Sequence, residues 1–141
     1  MKTKRITRSW LKNNGACYSD YRLRKLVPKE GVTLQQVLET DQIPDADKLW
    51  VATRDGVLPQ RIAAAWMAGI VERALGRIPN PDPRSLAIVP LLRRISAGER
   101  VSQVELVAAM RAVQRVCNID GDSEERGRRQ QIRDLLTLLE D

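Results

Sequence analysis

One stretch limits what this chain can fold into. Ile62-Ala63-Ala64-Ala65-Trp66-Met67-Ala68-Gly69-Ile70-Val71 is ten residues without a charge, in a sequence that is 30% charged. It falls short of the roughly 20 apolar residues that span a bilayer. Pro59 stands before it and Gly76 behind it. That is the punctuation of one helix, with Pro near the first turn and Gly just past the end. The pattern predicts a helix over about 59–75 whose large side chains, Ile62, Trp66, Met67, Ile70, Val71 and Leu75, share a broad arc. Arg61, Ala65, Ala68, Gly69 and Glu72 form a narrow flank, small in the middle and charged at both ends. A helix this apolar is surrounded by its neighbours. Either another helix packs closely on the small flank, or the flank reaches the surface.

The rest of the chain reads as more helices around this hub. Thr7 before Arg8 to Asn13, and Ser19 or Asp20 before a segment ending at Leu26, are N-cap positions. Tyr21 and Leu23 to Leu26 are expected on the buried side of that second helix. Thr33 and Gln36 make a capping box, with Val32 and Val37 as its staple. Asp45 is expected to cap Ala46 to Thr53. Asp82 caps a helix that begins with Pro83, and Pro90 lacks the N–H owed to the Leu86 carbonyl, so a kink or break is expected there. Ser102 and Glu105 are a second capping box, opening a helix to about Cys117 with Leu106, Ala109, Met110, Val113, Val116 and Cys117 on one side. Asn118 to Ser123 is expected as a polar loop, and the last helix runs from about Ser123 to Glu140. Ile132, Leu135, Leu136 and Leu139 line one face of it, and its first turns project into solvent. The expected fold is all-α: one domain over 1–141, a compact bundle of six or seven short helices, with 1–30 a basic N-terminal part and 118–131 an exposed loop and helix start.

Composition narrows the chemistry. There is no histidine, which removes Ser-His and Cys-His catalysis and the commonest metal ligand. No catalytic residue, cofactor site or metal site is expected. Asn118-Ile119-Asp120-Gly121-Asp122-Ser123 has Ser where a calcium loop needs Gly at its sixth position, and Arg129 stands at the twelfth in place of Glu. Cys17 and Cys117 read as free thiols. The basic start, Met1 to Arg5, has no apolar run behind it, which predicts no signal peptide, no membrane anchor and a cytoplasmic protein of a bacterial host.

The formal charge of +6 is uneven: +7 over 1–30, −3 over 31–60, +4 over 61–100 and −2 over 101–141. Lys4, Arg5, Arg8, Lys12, Arg22, Arg24, Lys25 and Lys29 are therefore the candidate partner-binding surface, with Trp10, Tyr18 and Tyr21 interleaved. Solubility alone would account for the same cations. Arg126, Arg129 and Arg133 form a second basic stripe, diluted by Glu124, Glu125 and Asp134.

Ser9-Trp10-Leu11-Lys12-Asn13-Asn14-Gly15-Ala16-Cys17 resembles the W-L-x-x-x-G-A-C opening of a phage and bacterial family carrying an immunity-protein label. Leu49 to Arg54, Val57-Leu58-Pro59, Asn80 to Ser85 and Arg128 to Leu139 are similar to later segments of that family. This chain departs from it after Gly98-Glu99, where relatives carry a long Ala-rich tract. The resemblance implies a helical, non-enzymatic protein that neutralises a toxin by binding. Size, basicity and Arg/Leu content also resemble the small regulators by which thermophile phages bind host RNA polymerase and redirect promoter choice. A regulator bound to a host machine, RNA polymerase first, is the leading expectation. Contact with nearby nucleic acid is part of it. A toxin partner and direct nucleic-acid binding are the alternatives, and no membrane is involved.

Overall fold

The computed structural model describes residues 5–54, 56–120 and 125–140, with the side chains of 114, 117–120, 125 and 126 outside the description. The described residues form nine α-helices and no strand; a single antiparallel bridge pairs Ile6 with Val32. The fold is all-α. Two compact units divide the chain, Met1–Leu58 and Pro59–Asp141.

The first unit holds four short helices: α1 (Arg8–Asn13), α2 (Asp20–Leu26), α3 (Leu34–Glu39) and α4 (Asp45–Ala52). Their starts follow local chemistry. Thr7 Oγ1 accepts from the Trp10 N–H at 3.1 Å and Ser19 Oγ from the Arg22 N–H at 3.2 Å. Thr33 and Gln36 form the capping box in full. Pro44, not Asp45, occupies the cap of α4, and Asp45 is its first helical residue. There its carboxylate faces the positive end of the helix dipole. Lys48 of α4 is buried; its Nζ donates to the Leu38 carbonyl at 3.0 Å and lies 3.8 Å from Asp45 Oδ1. That ammonium satisfies one of the carbonyls left over at the end of α3. Tyr21 is not on the buried side: it is 67% exposed. Burying Leu23 and Val27 turns position 21 to the opposite side of α2.

The second unit holds α5 (Gln60–Arg77), α6 (Pro83–Leu86), α7 (Ile88–Ser96), α8 (Gln103–Asp120) and α9 (Glu125–Glu140). Helix α5 is its hub, with α7, α8 and α9 all packed on it. It ends two residues later than expected and starts one later: Pro59 is the cap, and Gly76 lies inside the helix. The small flank divides. Ala68 is fully buried in the core with Ala64, Val71, Ala74, Ile88, Leu92, Ile95, Ala112 and Val116. Ala65 and Gly69 are half-buried, and Arg61 and Glu72 are exposed. The charged ends are used: Glu72 pairs with Arg93 of α7 at 2.9 Å, and the Arg61 guanidinium lies against Gly98, whose φ of +92° would strain any other residue.

The helix count exceeds the expected six or seven partly because Pro90 takes effect. The missing N–H separates α6 from α7 at Ala87, the C-cap of the one and the N-cap of the other. Helix α8 starts on the Ser102–Glu105 box and continues to Asp120, so Asn118 to Asp120 belong to a helix and not to a loop. The continuous backbone hydrogen bonding of a helix leaves Asn118-Ile119-Asp120 no turn to make. The rest of that loop, 121–123, and the expected helix start at Ser123 and Glu124 lie outside the described residues, as does the Cys117 side chain. Met110 is 46% exposed; the buried stripe of α8 is Ala109, Ala112 and Val116. On α9 the buried residues are Ile132, Leu135 and Leu139. Its early residues do not simply project: Gly127, Arg128, Gln130 and Gln131 are half-buried. The Trp66 indole N–H reaches the Gln131 carbonyl at 2.9 Å, and Arg73 pairs with Asp134. These two contacts hold the middle of α9 against the hub.

Candidate functional site

The first unit carries both the densest cationic surface and a pocket. The cationic surface is built on α1, α2 and the bridge between the segments that flank them, and the pocket is walled by all four helices. Gly31 makes the bridge possible: its φ is +83°, and a Cβ there would stand 2.9 Å from the Ile6 carbonyl oxygen. The two chain segments therefore meet backbone to backbone, with Ile6 and Val32 exchanging hydrogen bonds of 2.8 and 2.9 Å.

The eight basic residues read from the sequence do not act alike. Arg5 donates to the Glu30 and Gly31 carbonyls at 3.0 and 2.9 Å. Arg8 donates to the Val27 carbonyl at 2.6 Å and to the Arg24 carbonyl at 3.4 Å. Arg8 thereby serves carbonyls that the end of α2 leaves unpaired. Both arginines hold the unit together. Arg8→Ala is expected to destabilise it by about 1.5–3 kcal/mol, the range for hydrogen bonds to a charged group. Arg8→Lys restores only part, since an ammonium does not reproduce the planar fork. Urea denaturation of the three proteins checks this.

Lys12 pairs with Asp20 at 2.5 Å, both more than half exposed, and its hydrogen bond holds the Asp20 carboxyl below its usual range. Arg22 lies over the Tyr18 ring at 4.2 Å from the centroid, and Lys25 over the Tyr21 ring at 4.6 Å. Arg22, Arg24 and Lys25 are exposed around the same arc of α2 that carries Tyr21 at its centre. Lys29 is exposed beyond the helix end. Lys4 lies outside the described residues. The cluster thus resolves into two structural arginines, one paired lysine and an aromatic-centred basic face on α2. Cationic neighbours three and four positions away were visible in the sequence; the carbonyls Arg5 and Arg8 serve, 16 to 26 residues distant, were not.

The second stripe is not assembled in the same way. Arg129 and Arg133 are exposed on α9, Arg128 is half-buried, and the Arg126 side chain lies outside the description. Asp134 between them accepts from Gln130 at 3.0 Å and pairs with Arg73.

A pocket of about 370 Å³ opens in the first unit. Leu11, Leu23, Val37, Trp50 and Val51 contribute to its wall, and Tyr18, Gln36, Thr40 and Asp47 are among its hydrogen-bonding side chains. The Tyr18 hydroxyl donates to Asp47 Oδ2 at 2.5 Å. Burial, and next the bond to Asp47, push the Tyr18 hydroxyl up to about 12. Nothing in the residue order singled out this pair, because the two lie 29 positions apart on different elements.

The class defined so far is an all-α protein with a basic, aromatic-centred surface and an apolar pocket. Comparison with protein-family models, with curated proteins and with solved structures yields no match. The immunity-protein resemblance rests on the quoted motifs alone, and the polymerase-regulator resemblance on size, basicity and Arg/Leu content alone. No helix of the described residues is long and apolar enough to cross a membrane.

Proposed function

We propose that this is a non-catalytic regulatory protein that docks on a bacterial host machine, with RNA polymerase the first candidate, through the exposed face of α2. The observation that supports the reading is Tyr21, 67% exposed with Lys25 stacked on it and Arg22 and Arg24 to either side. An exposed aromatic costs little rotamer freedom to bury, and Tyr and Arg are the residue types that dominate protein interfaces. The surrounding cations speed encounter with an acidic or nucleic-acid-bearing partner. Helix α2 is mounted on Arg8 and capped by Ser19, so its face is set before the partner arrives.

The test is equilibrium binding of the tagged full chain to purified bacterial RNA polymerase at low and high salt, beside a Tyr21→Ala, Arg22→Glu, Arg24→Glu, Lys25→Glu variant. These positions leave the carbonyl-bound Arg5 and Arg8 intact, so circular dichroism is expected to be unchanged. Affinity is expected to fall by roughly a hundredfold or more, as for loss of several hot-spot groups. Equal affinity of the variant would overturn the α2 face. No binding of polymerase by the parent, with capture of a cognate toxin instead, would replace the reading by the immunity role. Tight, salt-steep binding to bare DNA would replace it by direct nucleic-acid recognition.

A further inference from the structure

The pocket of the first unit has a use of its own, independent of what α2 docks on. Its volume of about 370 Å³ sits at the small end of the range of small-molecule sites, roughly 300–1,000 Å³. Every helix of the unit lends a wall: Leu11 from α1, Leu23 from α2, Val37 from α3 and Val51 from α4. Residues from so many elements do not close on one another by chance of a single rotamer. The pocket is open to solvent, and an apolar group that enters it gains by displacing water from the aliphatic wall atoms.

The lining contains one acidic side chain, Asp47, and no Lys or Arg. Asp47 is half-buried, and no Lys or Arg among the described residues forms an ion pair with it. Arg22 lies over the Tyr18 ring and forms no ion pair with the carboxylate. Tyr18 occupies Oδ2 with a neutral hydroxyl. That fixes the carboxylate's orientation and leaves Oδ1 for another donor. Asp47, like Asp45, stands in the first turn of α4, where the helix dipole favours its charge, and a positive partner brought to it adds a direct charge-assisted hydrogen bond. An anion would meet repulsion, and an uncharged alcohol would fill the space without neutralising the charge.

We propose that the pocket binds a small hydrophobic primary amine, its apolar body against Leu11, Leu23 and Trp50 and its ammonium on Asp47. Tyr18 is the positioning residue. Binding of such an amine occupies the space between α1, α2 and α4.

The experiment is a titration of the isotope-labelled full chain at neutral pH, followed by amide chemical shifts, with three probes of one shape: phenethylamine, phenethyl alcohol and 3-phenylpropionate. The amine is expected to give saturable shifts at 15–18, 36–40 and 47–51. The alcohol is expected to bind roughly tenfold more weakly, and the carboxylate not to saturate, as the sign of the charge dictates. Asp47→Asn is expected to bring amine and alcohol to equal affinity. The probe series on the parent protein stands whether or not that variant folds. Equal binding of amine and alcohol to the parent, tighter binding of the carboxylate, saturable shifts confined to other residues, or no saturable shift with any probe would each overturn the proposal.

Discussion

Ala68→Glu unfolds the second unit. Ala68 has no exposed surface, and it faces Ile88, Leu92, Ala112 and Val116 within one core. A glutamate there is too long for the space and brings a charge with no partner. An unpaired buried charge costs several kcal/mol, and forced overpacking adds about 1–3. Against the 5–15 kcal/mol typical of a folded domain, that sum removes most or all of the stability. Ala65→Glu, three residues earlier and half-buried, is expected to leave the unit folded. Thermal melts followed by circular dichroism, together with limited proteolysis of 59–141, distinguish the two. A stable Ala68→Glu protein would mean the flank is open after all. The contrast also explains why the narrow small-residue strip was ambiguous in the sequence. Helical spacing gives a residue's angle on the wheel but not which neighbours stand at that angle, and Ala68 and Ala65 lie on opposite sides of the boundary.

Trp66→Ala is the second large effect, about 3–5 kcal/mol for an aromatic removed from a core. The ring is 4% exposed, and its N–H spans 65 residues to the Gln131 carbonyl. Trp66→Phe separates the two contributions. It keeps most of the apolar contact and leaves the carbonyl without its donor, at about 1–3 kcal/mol. Urea denaturation ranks the three proteins. Hydrogen exchange locates the loss, with the early amides of α9 expected to open first in both variants. Equal protection of α9 in the parent and in Trp66→Ala would remove this contact from the account of how α9 is held.

What was legible in the sequence was the local part. Thr33 with Gln36 and Ser102 with Glu105 close hydrogen bonds over three residues, so residue type and spacing determine them almost alone. Pro90 subtracts a donor four residues from Leu86, and the break between α6 and α7 follows. The hub was legible for the same reason, since one charge-free run has few places to go. Long-range contacts were not. Arg5 and Arg8 looked like binding cations because their charge shows in the sequence and their carbonyl acceptors do not. Tyr21 looked buried because aromatic residues on short helices usually are, yet α2 has room for one buried face and the aliphatics take it. The pocket was invisible, since it is a gap among seventeen residues contributed by every element of the unit. The division between Leu58 and Pro59 falls just before the hub helix, at the proline that the sequence marked only as the front of that helix.

Helix α5 holds one more consequence. Two of its eighteen positions, Gly69 and Gly76, are glycines beside open space: a methyl group added at either meets nothing within 4 Å. Gly69, in the helix interior, gives up about 1 kcal/mol relative to alanine, and Gly76 in the last turn gives up less. The element on which the second unit is assembled is therefore looser than its packing alone would make it. Stability of this kind is readily supplemented from outside, because a molecule that binds only the folded form raises its population by mass action. Melting temperature then becomes a reporter, and a partner seated on this unit would announce itself as a rise in the transition before any complex is isolated.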